Sequence, residues 1–173
     1  NLVVGKKNQV TSDESIVGGD GNTVTGNRQI VSGFNNDTTG GNSSILSGSG
    51  CESKGNNSIT SGENTINRGN NCLVIGSGSQ VLGGQDNLVI GKVNTLRDGE
   101  ASQNLISGIK NTINGSAETL NNILVGANHA LGISGNSNTG VKNYALFGSG
   151  NRVNTTTSGT EAVVQVGMLA GRN

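Results

Sequence analysis

The sequence predicts an all-β fold, a parallel β-solenoid (β-roll) of about ten coils. An apolar triplet closed by a glycine returns every 14 or 15 residues through the first half of the chain. The 173 residues include 30 glycines, no proline and only 2% aromatic residues, so large side chains for a thick core are scarce. A unit of this length is too short for a helical hairpin, and each glycine would weaken a helix by about 1 kcal/mol. A short, fixed period of strands and turns is typical of a solenoid.

The apolar triplet predicts the first strand of each coil. The segment Leu73-Val74-Ile75-Gly76 returns as Leu88-Val89-Ile90-Gly91, and Leu or Ile stands three residues before almost every repeat glycine. The last unit is predicted at Val164 to Gly167. The repeat glycines on this reading are Gly5, Gly19, Gly33, Gly48, Gly62, Gly76, Gly91, Gly108, Gly126, Gly148 and Gly167.

A second, half-buried strand is predicted about five residues after each glycine. Its polar neighbours favour a wet outer side. Its inward column runs through Val10, Val24, Thr38, Ser53, Ile66 (one place early), Val81, Leu96, Ile113, Leu131 and Val153. An Asn often precedes this column by two residues. Because a turn residue stacks on its copies in neighbouring coils, its amide can donate to one neighbour and accept from the other. This structural turn ladder is assigned to Asn8, Asn22, Asn94, Asn111 and Asn151.

The repeat continues without a linker, so one solenoid domain is expected over residues 1–173. Regular coils of 14–15 residues fill 1–91, and longer coils with loop insertions fill 92–173, at 97–104, 114–122, 132–144 and 154–163. Solenoids extrude such insertions on one face, often a binding face. Candidate contact residues there are Glu118, Asn136, Lys142 and Tyr144, although an interior position for Tyr144 is an equal alternative.

The triplets are apolar at three consecutive positions, which predicts a strand covered on both sides. One side can fill the interior of the solenoid. The other side would leave a stripe larger than soluble monomers usually expose, so another copy of the chain is the simplest cover. The predicted assembly seam consists of Leu73, Ile75, Leu88, Ile90, Ile123 and Val125.

The repeat resembles the head repeat of trimeric autotransporter adhesins and related trimeric phage and surface fibres. The residues that carry the resemblance are Asn57–Gly62, Asn87–Gly91 and Asn143–Gly148. The resemblance implies a homotrimer with no enzymatic activity, placed outside the cell on a cell or virion surface, with a host-surface glycan or matrix protein as partner. It also implies that the outer residues of each triplet face the trimer axis. Where the family prefers Ala at the central position, this chain has Val17, Val31, Val74 and Val89, which implies a wider interior.

A rival resemblance is to grass ice-recrystallisation-inhibition proteins, which are built from Asn-x-Val-x-Gly units such as Asn22-Thr23-Val24-Thr25-Gly26. It implies an ice-binding (antifreeze) protein with a flat outer β-face. Ice binding needs a regular array of small hydroxyl and methyl groups. The candidate ice face is Thr23, Thr25, Thr38 and Thr39, and charged or bulky residues interrupt it in later coils.

Few residues suggest chemistry. The single His129 occupies a turn position and has no partner set for a metal or a catalytic triad, so no enzyme, cofactor or metal site is expected. Cys51 and Cys72 are expected as free thiols on opposite edges of the roll. Eleven basic residues balance eleven acidic ones without a basic run, which argues against nucleic acid, and no apolar segment is long enough to insert into a membrane. The start at Asn1 is expected of a piece of a longer protein.

Overall fold

The computed structural model describes residues 1–97, 101–114, 119–134, 142–156 and 167–172. These residues form parallel strands stacked into a β-solenoid, and no helix occurs among them, which confirms the predicted fold class. The number of turns, about eight, is slightly lower than expected. Eleven strands stack on one face, whereas the opposite face divides into groups of seven and two strands.

The first face, called sheet A, contains the triplet strands. In chain order they are β1 (Leu2–Lys6), β3 (Ile16–Asp20), β5 (Ile30–Phe34), β6 (Ile45–Ser49), β8 (Ile59–Glu63), β10 (Leu73–Ser77), β12 (Leu88–Lys92), β14 (Leu105–Ile109), β16 (Ile123–Ala127), β18 (Tyr144–Ser149) and β20 (Gly167–Arg172).

The opposite face, called sheet B, contains shorter strands. Isolated bridges through Asp37 join its two groups. A third line of bridges passes through Gln85, Ser102 and Leu120, between sheet B and the next strand of sheet A. The strands of sheet B are β2 (Gln9–Val10), β4 (Thr23–Val24), β7 (Glu52–Ser53), β9 (Ile66–Asn67), β11 (Gln80–Val81), β13 (Thr95–Arg97), β15 (Thr112–Asn114), β17 (Ala130–Ser134) and β19 (Arg152–Thr156).

Like residues stack on like residues in sheet A. Leu73 pairs with Ile59 on one side and Leu88 on the other, and every repeat glycine pairs with the next one. The central residue of each triplet points inward, as Val74 and Val89 do, whereas its two neighbours point outward because side chains alternate along a strand.

The last coil differs from the sequence prediction. Gly148 pairs with Gly171 rather than Gly167, and Ala145 pairs with Met168. A register through Gly167 would set the polar Gln165 opposite Leu146, which is fully buried, whereas the observed register, shifted by four residues, pairs Leu146 with Leu169.

A second correction concerns the inward column of sheet B. Asn67, not Ile66, pairs with Ser53 and is fully buried, while Ile66 pairs with Glu52 on the outer side. The amide of Asn67 is accommodated inside because it donates to the carbonyl oxygen of Cys72 at 3.5 Å and accepts the backbone N–H of Gly69 at 3.2 Å.

The interior contains two apolar clusters with a polar stretch between them. The first cluster holds Val17, Val24, Val31, Leu46 and Cys51, and the second extends from Cys72 to Leu146. Between them the inward positions are fully buried but polar. These residues are Ser53, Thr60 and Asn67.

The repeat glycines adopt backbone angles that other residues rarely reach. Their φ values lie between 100° and 141°. A β-carbon added at Gly19 would overlap the backbone carbonyl of Gly33 in the next coil, and the same holds along the column up to Gly148. The glycine is therefore required both by conformation and by the close approach of neighbouring coils.

Substituting alanine at Gly19 and, separately, at Gly18 tests this requirement. Gly19→Ala is expected to destabilise the fold by at least about 3 kcal/mol, since both strain and overlap oppose it. Gly18→Ala is the matched control, because no atom lies within 4 Å of an added β-carbon there. It is expected to be neutral or slightly stabilising. Urea unfolding followed by circular dichroism measures both, and equal losses would contradict the account.

Candidate functional site: the outer face of sheet A

A ridge of Leu and Ile runs along the outer face of sheet A, at the first position of each triplet. Its side chains point outward because the central triplet residue points into the core. Ile45 and Ile59 are 41% exposed, and Leu73, Leu88 and Leu105 further along the rod are half-buried. This Leu/Ile ridge consists of Leu2, Ile16, Ile30, Ile45, Ile59, Leu73, Leu88, Leu105 and Ile123.

The third triplet position forms a second outward column, which changes in size along the rod. It is small in β3 to β8, with Gly18, Ser32, Ser47 and Ser61. Further along it carries exposed Ile75, Ile90, Val125 and Phe147. All six predicted seam residues lie on these two outward columns, and no charged residue occupies either column in the described strands.

The glycine column makes a groove beside the second outward column. Over β10, β12 and β14 this groove has a volume of about 620 Å³. The glycines form its floor because they have no side chain, the third triplet position forms one wall, and the residue after each glycine forms the other. Its lining is Ile75, Gly76, Ser77, Ile90, Gly91, Lys92, Ser107, Gly108 and Ile109.

Coil length changes without disturbing this face. The repeat glycines at 91, 108, 126 and 148 are each followed four residues later by the start of a sheet B strand, at Thr95, Thr112, Ala130 and Arg152. All the additional residues of the later coils therefore fall between a sheet B strand and the next sheet A strand. The ridge and the groove consequently keep the same spacing in short and long coils.

The predicted Asn ladder is largely buried and bonds mainly to backbone. Asn36 donates a backbone N–H to Oδ1 of Asn22 at 3.0 Å, and Asn22 donates its amide to the carbonyl oxygen of Gly33 at 3.1 Å. In the same way, Asn94 donates to Gly108 and Asn111 donates to Gly126, both at 2.9 Å. Asn8 is part-buried and donates to Gly19 at 2.9 Å, whereas Asn151 donates to Phe147 of its own coil at 2.7 Å.

Other residue types replace Asn in this column without losing the contact. Thr65 and Ser79 donate their hydroxyls to the carbonyl oxygens of Gly76 and Gly91 at 2.9 and 3.0 Å. His129 is fully buried there and its Nε2 lies 3.1 Å from the carbonyl oxygen of Val125. Since a carbonyl only accepts, Nε2 carries the proton.

Sequence reasoning missed a second ladder on the opposite edge of the roll. Asn104 donates its backbone N–H to Oδ1 of Asn87 at 3.0 Å, Asn122 donates to Asn104 at 3.1 Å, and Tyr144 donates to Asn122 at 3.0 Å. The available signal was the polar residue directly before each triplet. Tyr144 is buried, as one of the two alternatives predicted, and burial raises the pKa of its hydroxyl.

The two cysteines are free, as predicted, and each belongs to a different ladder. Cys51 forms no disulfide, and its thiol donates to the carbonyl oxygen of Gly62 at 3.3 Å. Cys72 accepts a hydrogen bond at its sulfur from Asn87, and burial raises the pKa of the Cys72 thiol. Both thiols are therefore buried ladder groups of the solenoid interior and do not form part of the outer face of sheet A.

The candidate ice face is only partly assembled. Thr25 and Thr39 are exposed and Thr23 is half-buried, but Thr38 is fully buried in the inward column, so its assignment to the ice face was wrong. The reason is alternation, because the bridge from Thr23 to Asp37 places Asp37 outward and Thr38 inward.

Ion pairs occupy the next coils on this side. Glu52 lies 2.7 Å from Arg68 and 3.2 Å from Lys54. Burial raises the pKa of Glu52, but hydrogen bonds from Arg68 and Lys54 outweigh it and hold that pKa below its ordinary value. The carboxylate therefore stays charged, which interrupts an array of hydroxyls and methyls.

Two of the remaining contact candidates, Glu118 and Asn136, lie outside the described residues, and Lys142 is half-buried. In the described part of the chain, no group of three or more His, Cys, Asp or Glu side chains could hold a metal ion. The same residues include no helix that could cross a membrane.

Comparisons with known proteins do not assign the face a role. No protein-family model matches the chain, and no curated protein is significantly similar to it.

Two buried threonines provide a test of the ladder energetics. The hydroxyl of Thr60 has no hydrogen-bond partner among the described residues, whereas that of Thr65 donates to Gly76. Thr60→Val is expected to stabilise the fold by about 1 kcal/mol, and Thr65→Val to destabilise it by about 1–3 kcal/mol, because it strands a buried carbonyl. Chemical denaturation measures both. A destabilised Thr60→Val would show that this hydroxyl is bonded after all.

Proposed function

We propose that this chain is a non-enzymatic structural segment of a homotrimeric fibre, whose outer sheet A face is covered by two further copies of the chain. The observation that supports this proposal is the pair of outward triplet columns, which carry no charged residue in any described strand of sheet A. A face that continuous is unusual on a soluble monomer.

The size of the face fits an interface between copies. Eleven strands about 4.8 Å apart and five residues wide span roughly 50 Å by 13 Å, before the relief of the side chains is counted. Each partner in a standard interface contributes about 800 Å². Burying a ridge side chain fully contributes about 1.5–3 kcal/mol relative to full exposure. About half of this or less is still unrealised in the isolated chain, where Ile45 and Ile59 are 41% exposed.

A charge at the centre of the face is expected to abolish assembly. Light scattering of the native chain should give about 52 kDa, three times 17.4 kDa. Ile90→Asp should give 17.4 kDa with the circular dichroism spectrum unchanged, since Ile90 is an outward residue whose loss leaves the core intact. The matched control is Thr95→Asp, in the same coil but on the outer side of sheet B, which should remain trimeric. A trimeric Ile90→Asp variant would overturn the proposal.

Within this proposal the chain acts outside the cell, on a cell or virion surface. Adhesion to a host-surface glycan or matrix protein would then involve the long coils. Their additional residues all lie in sequence between a sheet B strand and the next sheet A strand, outside the strands that assembly would cover.

Ice binding is a second candidate because one part of sheet A is regular and uncharged. Ile30, Ile45 and Ile59 stack in register, each two residues from a serine, and the hydroxyls of Ser32 and Ser47 lie 3.3 Å apart. This array lies on sheet A rather than on the threonine side. A native mass of 17.4 kDa together with faceted ice crystals near freezing would favour this function, and unchanged crystal growth would exclude it.

A further inference from the structure

We infer that the copies assemble by a ridge-in-groove contact, in which the Leu/Ile ridge of one chain lies in the glycine groove of the next. This inference rests on the proposed self-assembly and specifies which part of one copy meets which part of another. The ridge stands at the beginning of each sheet A strand, and the groove lies near the end. A single chain thus presents two different surfaces, one convex and one concave.

The two surfaces match in shape and chemistry. The groove is shallow and open, about 620 Å³ over three strands, and its glycine floor leaves room for a branched aliphatic side chain in each coil. Its walls over those strands are Ile75, Ile90 and Ile109 with serines and Lys92. The ridge residues of the neighbouring copy, Leu73, Leu88 and Leu105, would lose their contact with water and pack against these walls.

The two surfaces also share one repeat. Ridge and groove advance together by one strand spacing per coil, about 4.8 Å, and the register pairs ridge with ridge and glycine with glycine along the whole of sheet A. A contact formed in one coil is therefore repeated in the next when the copies are parallel and in register. Insertions do not break this match, because they all lie outside the segment between ridge and groove.

Because ridge and groove are different surfaces, the contact is head-to-tail and closes as a ring. Strands that run in the same sense around an axis place the strand start of one copy beside the strand end of the next. An isologous dimer would instead place identical edges together. The ridge-in-groove contact thus allows three copies to close into a ring without a second type of interface.

One pair of opposite charges lies at the two edges of the same strand. The turn before the strand start carries Asp86 beside β12, and the same strand ends at Lys92. In a parallel, in-register ring these residues of neighbouring copies would face each other at the same height, which favours this register. Lower on the rod, Glu14 stands before β3 and Asp20 ends it, so this height offers no such attraction.

Two cysteines at opposite ends of one strand test the contact. Ser43 stands in the turn before β6 and Ser49 ends it, so Ser43→Cys and Ser49→Cys are conservative changes at the ridge edge and the groove edge. Six residues of extended chain separate them by roughly 20 Å, too far for a link within one copy. The native thiols are removed by Cys51→Ser and Cys72→Ser, because serine already fills equivalent ladder positions at Ser79 and Ser58.

The double variant, treated with a short bismaleimide, should give covalent dimers and trimers on a denaturing gel, whereas each single variant should remain monomeric. Cross-linked dimers from a single variant would mean that like edges meet, which overturns the ridge-in-groove contact while self-assembly stands. The ridge-in-groove contact is also wrong if the double variant forms a 52 kDa particle but the bismaleimide gives no covalent dimers or trimers. A native mass of 17.4 kDa in light scattering refutes the proposed assembly itself, and the contact with it.

Discussion

In every coil the repeat glycine brings its backbone so close to the following coil that the next glycine carbonyl occupies the space of a β-carbon. Most other features of the solenoid depend on this contact. Positive φ at the glycine turns the chain out of sheet A, and the carbonyl so exposed is the acceptor for the ladder side chain of the preceding coil. Asn, Ser, Thr and Cys can all supply that donor, which is why the ladder position tolerates several residue types.

A thin interior makes these polar contacts unusually important. Each coil buries only about two inward side chains, so the hydrophobic contribution per coil is a few kcal/mol at most. Unbonded polar groups inside such a rod would cost a comparable amount. Both edges of the roll are therefore lined by ladders that bond the buried backbone. Asn94 donates its amide to the carbonyl oxygen of Gly108, and Asn87 accepts the backbone N–H of Asn104. The polar stretch around Thr60 separates the two apolar clusters. Apolar burial contributes least there, and the hydroxyls of Ser53 and Thr60 have no hydrogen-bond partner among the described residues.

The same alternation that builds the core also builds the outer face. Burying Val74 and Val89 forces their Leu and Ile neighbours outward, so a chain with apolar triplets cannot hide both sides by itself. The glycine column adds a groove to this face, and the ridge stands beside it at a fixed distance in every coil. A surface that carries its own complement at the same spacing is suited to repeated copies of itself.

The sequence by itself determined the repeat, the strand-turn alternation, the outward position of residues such as Leu73 and Ile75, and the ladder at Asn94 and Asn111. These follow from local rules, since a period of 14 or 15 residues and side-chain alternation along a strand leave little choice. Only the tertiary structure decided where an ambiguous register lies. Gly171 rather than Gly167 closes the last coil, and Asn67 rather than Ile66 turns inward. In both cases the pairing with the neighbouring coil chose the register. At Asn67 this choice also decides the face, because a shift of one residue exchanges the inner and outer sides of a strand.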